Sequence, residues 1–200
     1  VQFGLAYGIS NGQGQTRGQE AKDILDLAWE NGINTLDTAQ EYGESEQVLG
    51  GIHGQKFNIV TKVKLNTTDQ TIEMLVPQSF ERLDVEKLYG ILYHNEVSLE
   101  ENPGSLQYLK ECKKQGRLEK LGYTGVGTPA VFERLIDKFG LPDLIQVPYS
   151  LLDRRFESLL TQLHQQGVEI HTRSAFLQGL FFLSPDQLNP HFETIRPYLQ

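Results

Sequence analysis

Four side chains stand where chemistry could begin: Asp37, Tyr42, Lys62 and His94. Asp37 closes the apolar run INTLD, and Tyr42 follows five residues later in D-T-A-Q-E-Y-G-E-S-E. Lys62 falls near the end of FNIVTKV, and His94 ends LYGILYH. A phenol is a weak acid at neutral pH. An ammonium beside it lowers the cost of its anion, and a carboxylate beside that ammonium keeps it charged against burial. A neutral imidazole next to the three can hydrogen-bond and orient an oxygen. The set is suited to delivering a proton. Singly, Asp37 reads equally as a loop cap, Lys62 as a solvated strand-end charge and His94 as a hydrogen-bonded structural histidine. Their succession on neighbouring strand ends gives the functional reading its weight.

The elements that must position them alternate. Apolar runs near 1–6, 33–38, 57–63, 86–93, 119–124, 143–148 and 168–172 read as about seven strands. Most are continuous rather than alternating, which implies burial on both faces, as in a parallel sheet. Between them lie helical patterns. Phe132, Leu135, Ile136 and Phe139 share one stripe, as do Phe156, Leu159, Leu160 and Leu163. Four helical patterns end on a glycine, at Gly32, Gly116, Gly140 and Gly167, the residue that best closes a helix. Thr128-Pro129 is a helix start with a hydroxyl cap and a proline at the first position. Pro77 predicts a kink or a late start in the helix between strands 57–63 and 86–93.

Such alternation fits a doubly wound sheet or a (β/α)8 barrel. The opening GLAYGISNGQGQ does not fit the G-x-G-x-x-G turn of a dinucleotide-binding sheet and reads as a loop. In a barrel the chemistry sits at the C-terminal strand ends. Those ends supply Asp37, Lys62, His94, Thr124, Gln146, Ser150, Arg173 and Ser174.

Two hundred residues with 38% apolar and 22% charged side chains suit one soluble domain over 1–200 with a sizeable core. The net charge of −8 argues against nucleic acid or an anionic membrane surface as partner. No apolar run approaches the ~18 residues of a membrane span, and no signal peptide is visible. The lone Cys112 cannot form an internal disulfide, sits in a helical pattern and points to a reducing, cytoplasmic setting. No metal site is expected. The chain opens on Val1 and in mid-strand, so a stretch cut from something longer is expected.

D37-T-A-Q-E-Y42-G-E-S-E, T61-K62 and L92-Y-H94, followed by I145-Q146-V-P-Y-S150-L-L-D-R-R and R173-S174-A-F-L-Q178-G-L, resemble the aldo-keto reductase family, in order and over nearly the whole chain. The last two segments look most like bacterial members. The resemblance implies a (β/α)8 barrel, here incomplete with about seven β/α units. It also implies NAD(P)H-dependent reduction of an aldehyde or ketone, a sugar-like carbonyl among the candidates, with Tyr42 as general acid. It assigns Thr124 and Gln146 to the nicotinamide carboxamide and places Ser174, Phe176 and Gln178 at the pyrophosphate. Arg173 stands where many members stack an aromatic ring on the nicotinamide, and Ser150 where many have Asn. NADP(H) is favoured over NAD(H). The family's opening Gly-Thr and its eighth strand fall outside the sequence, so self-association through open barrel edges is expected. Two other readings compete: a non-catalytic fragment acting as a binding protein, and a barrel isomerase using Lys62 or His94 as base.

Overall fold

The structure, a computed structural model, describes residues 1–8, 11–52, 56–65, 71–188, 190–194 and 196–198. Helix and strand alternate along it: α1 (Gly18–Glu30), β1 (Thr35–Asp37), α2 (Ser45–Ile52), β2 (Asn58–Val63), α3 (Ile72–Leu83) and β3 (Leu88–Tyr93). Then come α4 (Glu96–Glu101), α5 (Ser105–Lys114), β4 (Leu118–Thr124), α6 (Pro129–Phe139), β5 (Leu144–Pro148), α7 (Glu157–Gln165) and β6 (Glu169–Arg173). Four short 3-10 turns follow among the described residues, at Leu177–Phe182, Pro185–Gln187, Pro190–Phe192 and Arg196–Tyr198. All strands are parallel and pair in chain order β1-β2-β3-β4-β5-β6, curling into a half-barrel with helices on its outer face.

Why these residues form these elements is visible in their packing. Phe132 and Leu135 of α6 and Leu159, Leu160 and Leu163 of α7 are buried against the outer face of the sheet. Gly32, Gly116, Gly140 and Gly167 all adopt positive φ just past a helix, the conformation that glycine takes without steric cost. The inner face carries its own apolar cluster of Val60, Leu92 and Leu144. At Gly122 a methyl group would sit 1.8 Å from the Leu144 carbonyl oxygen, so only glycine lets β4 approach β5 there.

Two expectations are corrected. Residues 1–6 form no strand, so six strands stand among the described residues where about seven were expected. The chain turns at Gly4, which packs so closely on the Tyr42 loop that a methyl there would lie 1.9 Å from the Tyr42 carbonyl oxygen. Of the kink or late start expected at Pro77, the late start is not taken: α3 begins at Ile72 and includes Pro77. The glycine-rich opening is a loop as read, with Ile9 and Ser10 outside the described residues.

Candidate active site

Side chains two apart on a strand share a face. Val60, Leu92 and Leu144 form the inner cluster, so Lys62, His94 and Gln146, two residues further on, rise from it at the C-terminal rim. Thr124 stands likewise two beyond Gly122. The sheet's curl brings Lys62, His94 and Thr124 to one cleft of about 550 Å³, while Gln146 lies behind its wall, bonded to Asp37. Its wall includes Asp37, Tyr42, Lys62, His94, Thr124, Arg173, Ser174, Phe176 and Gln178.

Lys62 is 1% exposed. Its ammonium donates to both carboxylate oxygens of Asp37, at 2.7 and 2.6 Å, and to the Thr38 carbonyl at 2.9 Å. Gln146 Nε2 donates to Asp37 Oδ1 at 2.7 Å, which fixes the orientation of its amide. Lys62 Nζ lies 5.0 Å from the centroid of the Tyr42 ring. The His94 ring meets Tyr42 edge-on, with centroids 5.8 Å apart and planes at 84°. Burial, reinforced by the Lys62 charge, pushes the His94 imidazolium pKa down to about 4 against the opposing pull of Glu41. The ring is therefore neutral at pH 7, with Nδ1 shut in 3.8 Å from Glu41 Oε2.

The Tyr42 loop is fixed from behind. Glu46, 1% exposed, accepts from Thr61 Oγ1 at 2.7 Å and Ser79 Oγ at 2.8 Å, and Arg82 approaches to 3.5 Å. Thr38 Oγ1 donates to Ser45 Oγ at 3.0 Å. The Ser-Glu that ends D-T-A-Q-E-Y-G-E-S-E is thus buried scaffolding that ties the loop to β2 and α3.

The other candidates fall into two groups. Thr124 Oγ1 and Gln146 Oε1 are buried without a hydrogen-bond partner, a donor and an acceptor side by side on neighbouring strands. Arg173 reaches across the cleft, donating to the Gly125 carbonyl at 2.7 Å and to Ser174 Oγ at 3.5 Å. Ser174, Leu177 and Gln178 all have positive φ, so this segment bends sharply beside the cleft, with Phe176 exposed against Phe182. Ser150, expected at a cofactor, is not in the cleft wall. Its hydroxyl accepts from the Leu152 and Asp153 amides and closes the turn after β5. Sequence reasoning missed Tyr7, which lines the cleft and whose phenol is pushed up by burial and by Tyr42. Its one sequence signal was its place just past the run misread as a first strand.

Among the described residues no three His, Cys, Asp or Glu side chains are grouped to hold a metal ion, and no helix is long and apolar enough to cross a membrane. The fold and cleft define a barrel-type α/β protein with a carboxylate, a phenol, an ammonium and an imidazole gathered at its C-terminal rim. The profile of the Aldo/keto reductase family matches residues 2–197, and the chain belongs to that family. It is 25% identical over 186 residues to the uncharacterized oxidoreductase YqkF of Bacillus subtilis, covering 85% of this chain and 60% of that protein. It is 29% identical over 178 residues to the NADH-specific methylglyoxal reductase of Escherichia coli, covering 74% and 54%. The aldo-keto reductase AKR11C1 of Bacillus halodurans, in its holo form, superposes with a TM-score of 0.68 at 25% identity, covering 82% of this chain and 59% of that one. The chain spans little more than half the length of the curated relatives it matches.

Proposed function

We propose that the chain carries the reducing site of an NAD(P)H-dependent oxidoreductase that converts an aldehyde or ketone to the alcohol. The observation that carries this is the buried Lys62 ammonium, held by Asp37 and set against the Tyr42 ring beside a neutral His94. Tyr42 gives its proton to the carbonyl oxygen. Lys62 stabilises the phenolate left behind, and Asp37 keeps Lys62 charged in a buried site. His94, neutral, orients the reacting oxygen.

The residues fit a nicotinamide dinucleotide. The unpartnered Thr124 hydroxyl can donate to a carboxamide oxygen, and the unpartnered Gln146 Oε1 can accept from its amide. Such a cofactor supplies hydride to the carbonyl carbon when bound. Ser174, Phe176 and Gln178 border the same cleft on the side proposed for the pyrophosphate, and Arg173 lies between the two groups. Ser150 is retained only as support for the turn beside Gln146. NADP(H) is the proposed dinucleotide in preference to NAD(H), and the NADH-specific relative makes titration with both the deciding measurement. The substrate is proposed as a small carbonyl compound, with methylglyoxal, the substrate named for that relative, and sugar-like aldehydes as the first to try.

The reading also takes residues 1–200 as one domain, on the strength of the uninterrupted sheet, and places it in the cytoplasm. The outer edges of β1 and β6, which pair with no further strand among the described residues, are proposed as a route to self-association. Tyr42→Phe tests the acid: turnover should fall by about 10²–10⁴-fold while reduced-cofactor affinity stays near its starting value. A variant that keeps most of its turnover removes Tyr42 from that role.

A further inference from the structure

A second property of the cleft rests on the nicotinamide reading above and concerns Arg173. The ionised side chains in the cleft wall are Asp37, Lys62 and Arg173. Lys62 and Asp37 engage each other directly. Arg173 makes no ion pair among the described residues: its two acceptors, the Gly125 carbonyl and the Ser174 hydroxyl, are both neutral. A guanidinium keeps its proton at any working pH, so a positive charge stands in the cleft with no ion-pair partner among the described residues, the Glu96 carboxylate packing on Gly125 rather than bridging to the guanidinium. The bond to Gly125 pins it one residue from Thr124, whose unpartnered hydroxyl is the proposed carboxamide anchor.

A nicotinamide ring is neutral when reduced and positively charged when oxidised. Like charges a few ångströms apart in a partly desolvated site repel strongly. We propose that Arg173 makes the cleft discriminate the redox state of its cofactor, binding the reduced dinucleotide and loosening the oxidised one. The oxidised product then leaves readily, and the site resists inhibition by it. Attraction of Arg173 to the phosphates acts on both redox forms alike, so the ratio of the two affinities isolates the effect on the ring.

The test is a pair of equilibrium titrations. NADPH and NADH are followed by their own fluorescence, and NADP⁺ and NAD⁺ by displacing them. The unmodified protein should hold the reduced form about tenfold or more tightly than the oxidised one. Arg173→Gln, which can still donate to Gly125, should bring the ratio close to parity, chiefly by tightening the oxidised form. Arg173→Lys should keep the preference. On the unmodified protein, rising salt should shrink the ratio, a reading that does not depend on any variant folding. The proposal is overturned if Arg173→Gln leaves the ratio unchanged or if the unmodified protein holds both forms equally. Absence of binding by either form removes the nicotinamide reading itself, and this proposal with it.

Discussion

Asp37 answers to two donors at once, Lys62 and Gln146, and its replacement separates charge from shape. Asp37→Asn leaves the buried Lys62 without its counter-charge and turns an amide NH₂ toward existing donors. Because Asp37 is itself a third exposed, the expected loss is about 1–3 kcal/mol rather than the full cost of a broken buried pair. Urea unfolding measures it, and an unchanged midpoint would deny the pair a structural role. His94 gives a pH signature. Its native pKa is about 4, against a reference near 6.5, so between those values the unfolded chain binds the extra proton and the native one does not. Its contribution to stability is fully present above about pH 6.5 and is lost as pH falls toward 4. His94→Gln should flatten that part of the stability profile, and an NMR titration of the ring should show a midpoint near 4. A midpoint near 6.5 would mean that the ring is not shut in as described. The four rim residues were legible because each closes or follows an apolar run. The contact of Arg173 with Gly125 and the place of Tyr7 in the cleft were not, because both depend on how segments distant in sequence meet, and no periodicity encodes that.

Between elements, the closest approaches involve glycines. Gly4→Ala would drive a methyl into the Tyr42 carbonyl and shift the loop that carries the phenol. Overpacking of this kind costs roughly 1–3 kcal/mol, and displacing the acid proposed above can cost ~100-fold in turnover. Activity per folded molecule should therefore fall further than the melting temperature suggests. Gly51→Ala is the control: it lies in α2 with nothing within 4 Å of an added methyl and should be neutral or stabilise by up to about 1 kcal/mol. Helices with a single apolar stripe and a closing glycine, and strands that are continuous apolar runs, could be read directly. Residues 1–6 could not: an apolar run becomes a strand only if a neighbour offers it a ladder, and here the chain turns onto the Tyr42 loop instead. Pro77 does not delay the start of α3, because packing as well as backbone bonding decides where a helix begins. Here Leu75, Val76 and Phe80 are buried on either side of it, and that packing holds α3 together across the missing bond.

Across the whole molecule, β2 to β5 have a neighbour on both sides, whereas β1 and β6 have one each. β5 is buried throughout, but β6 has no fully buried residue. Hydrogen exchange should grade accordingly, slowest in β3 and β4 and fastest in β1 and β6. Equal protection in β6 and β4 would indicate that something covers the β6 edge, and sedimentation of the same sample would show whether that cover is a second copy. The wedge between Gly4 and the Tyr42 loop, backed by buried Glu46, carries a consequence for divergence. A segment locked by backbone contact and an interior carboxylate tolerates little change, whereas 174–183 is bent, largely exposed and tipped by Phe176 and Phe182. Changes in how the proposed cofactor is held should then arise by exchanging that second segment as a cassette, in natural lineages and in laboratory libraries alike. A library randomised at Phe176 and Phe182 should yield many more folded members with altered cofactor affinity than one randomised at Ser45 and Glu46.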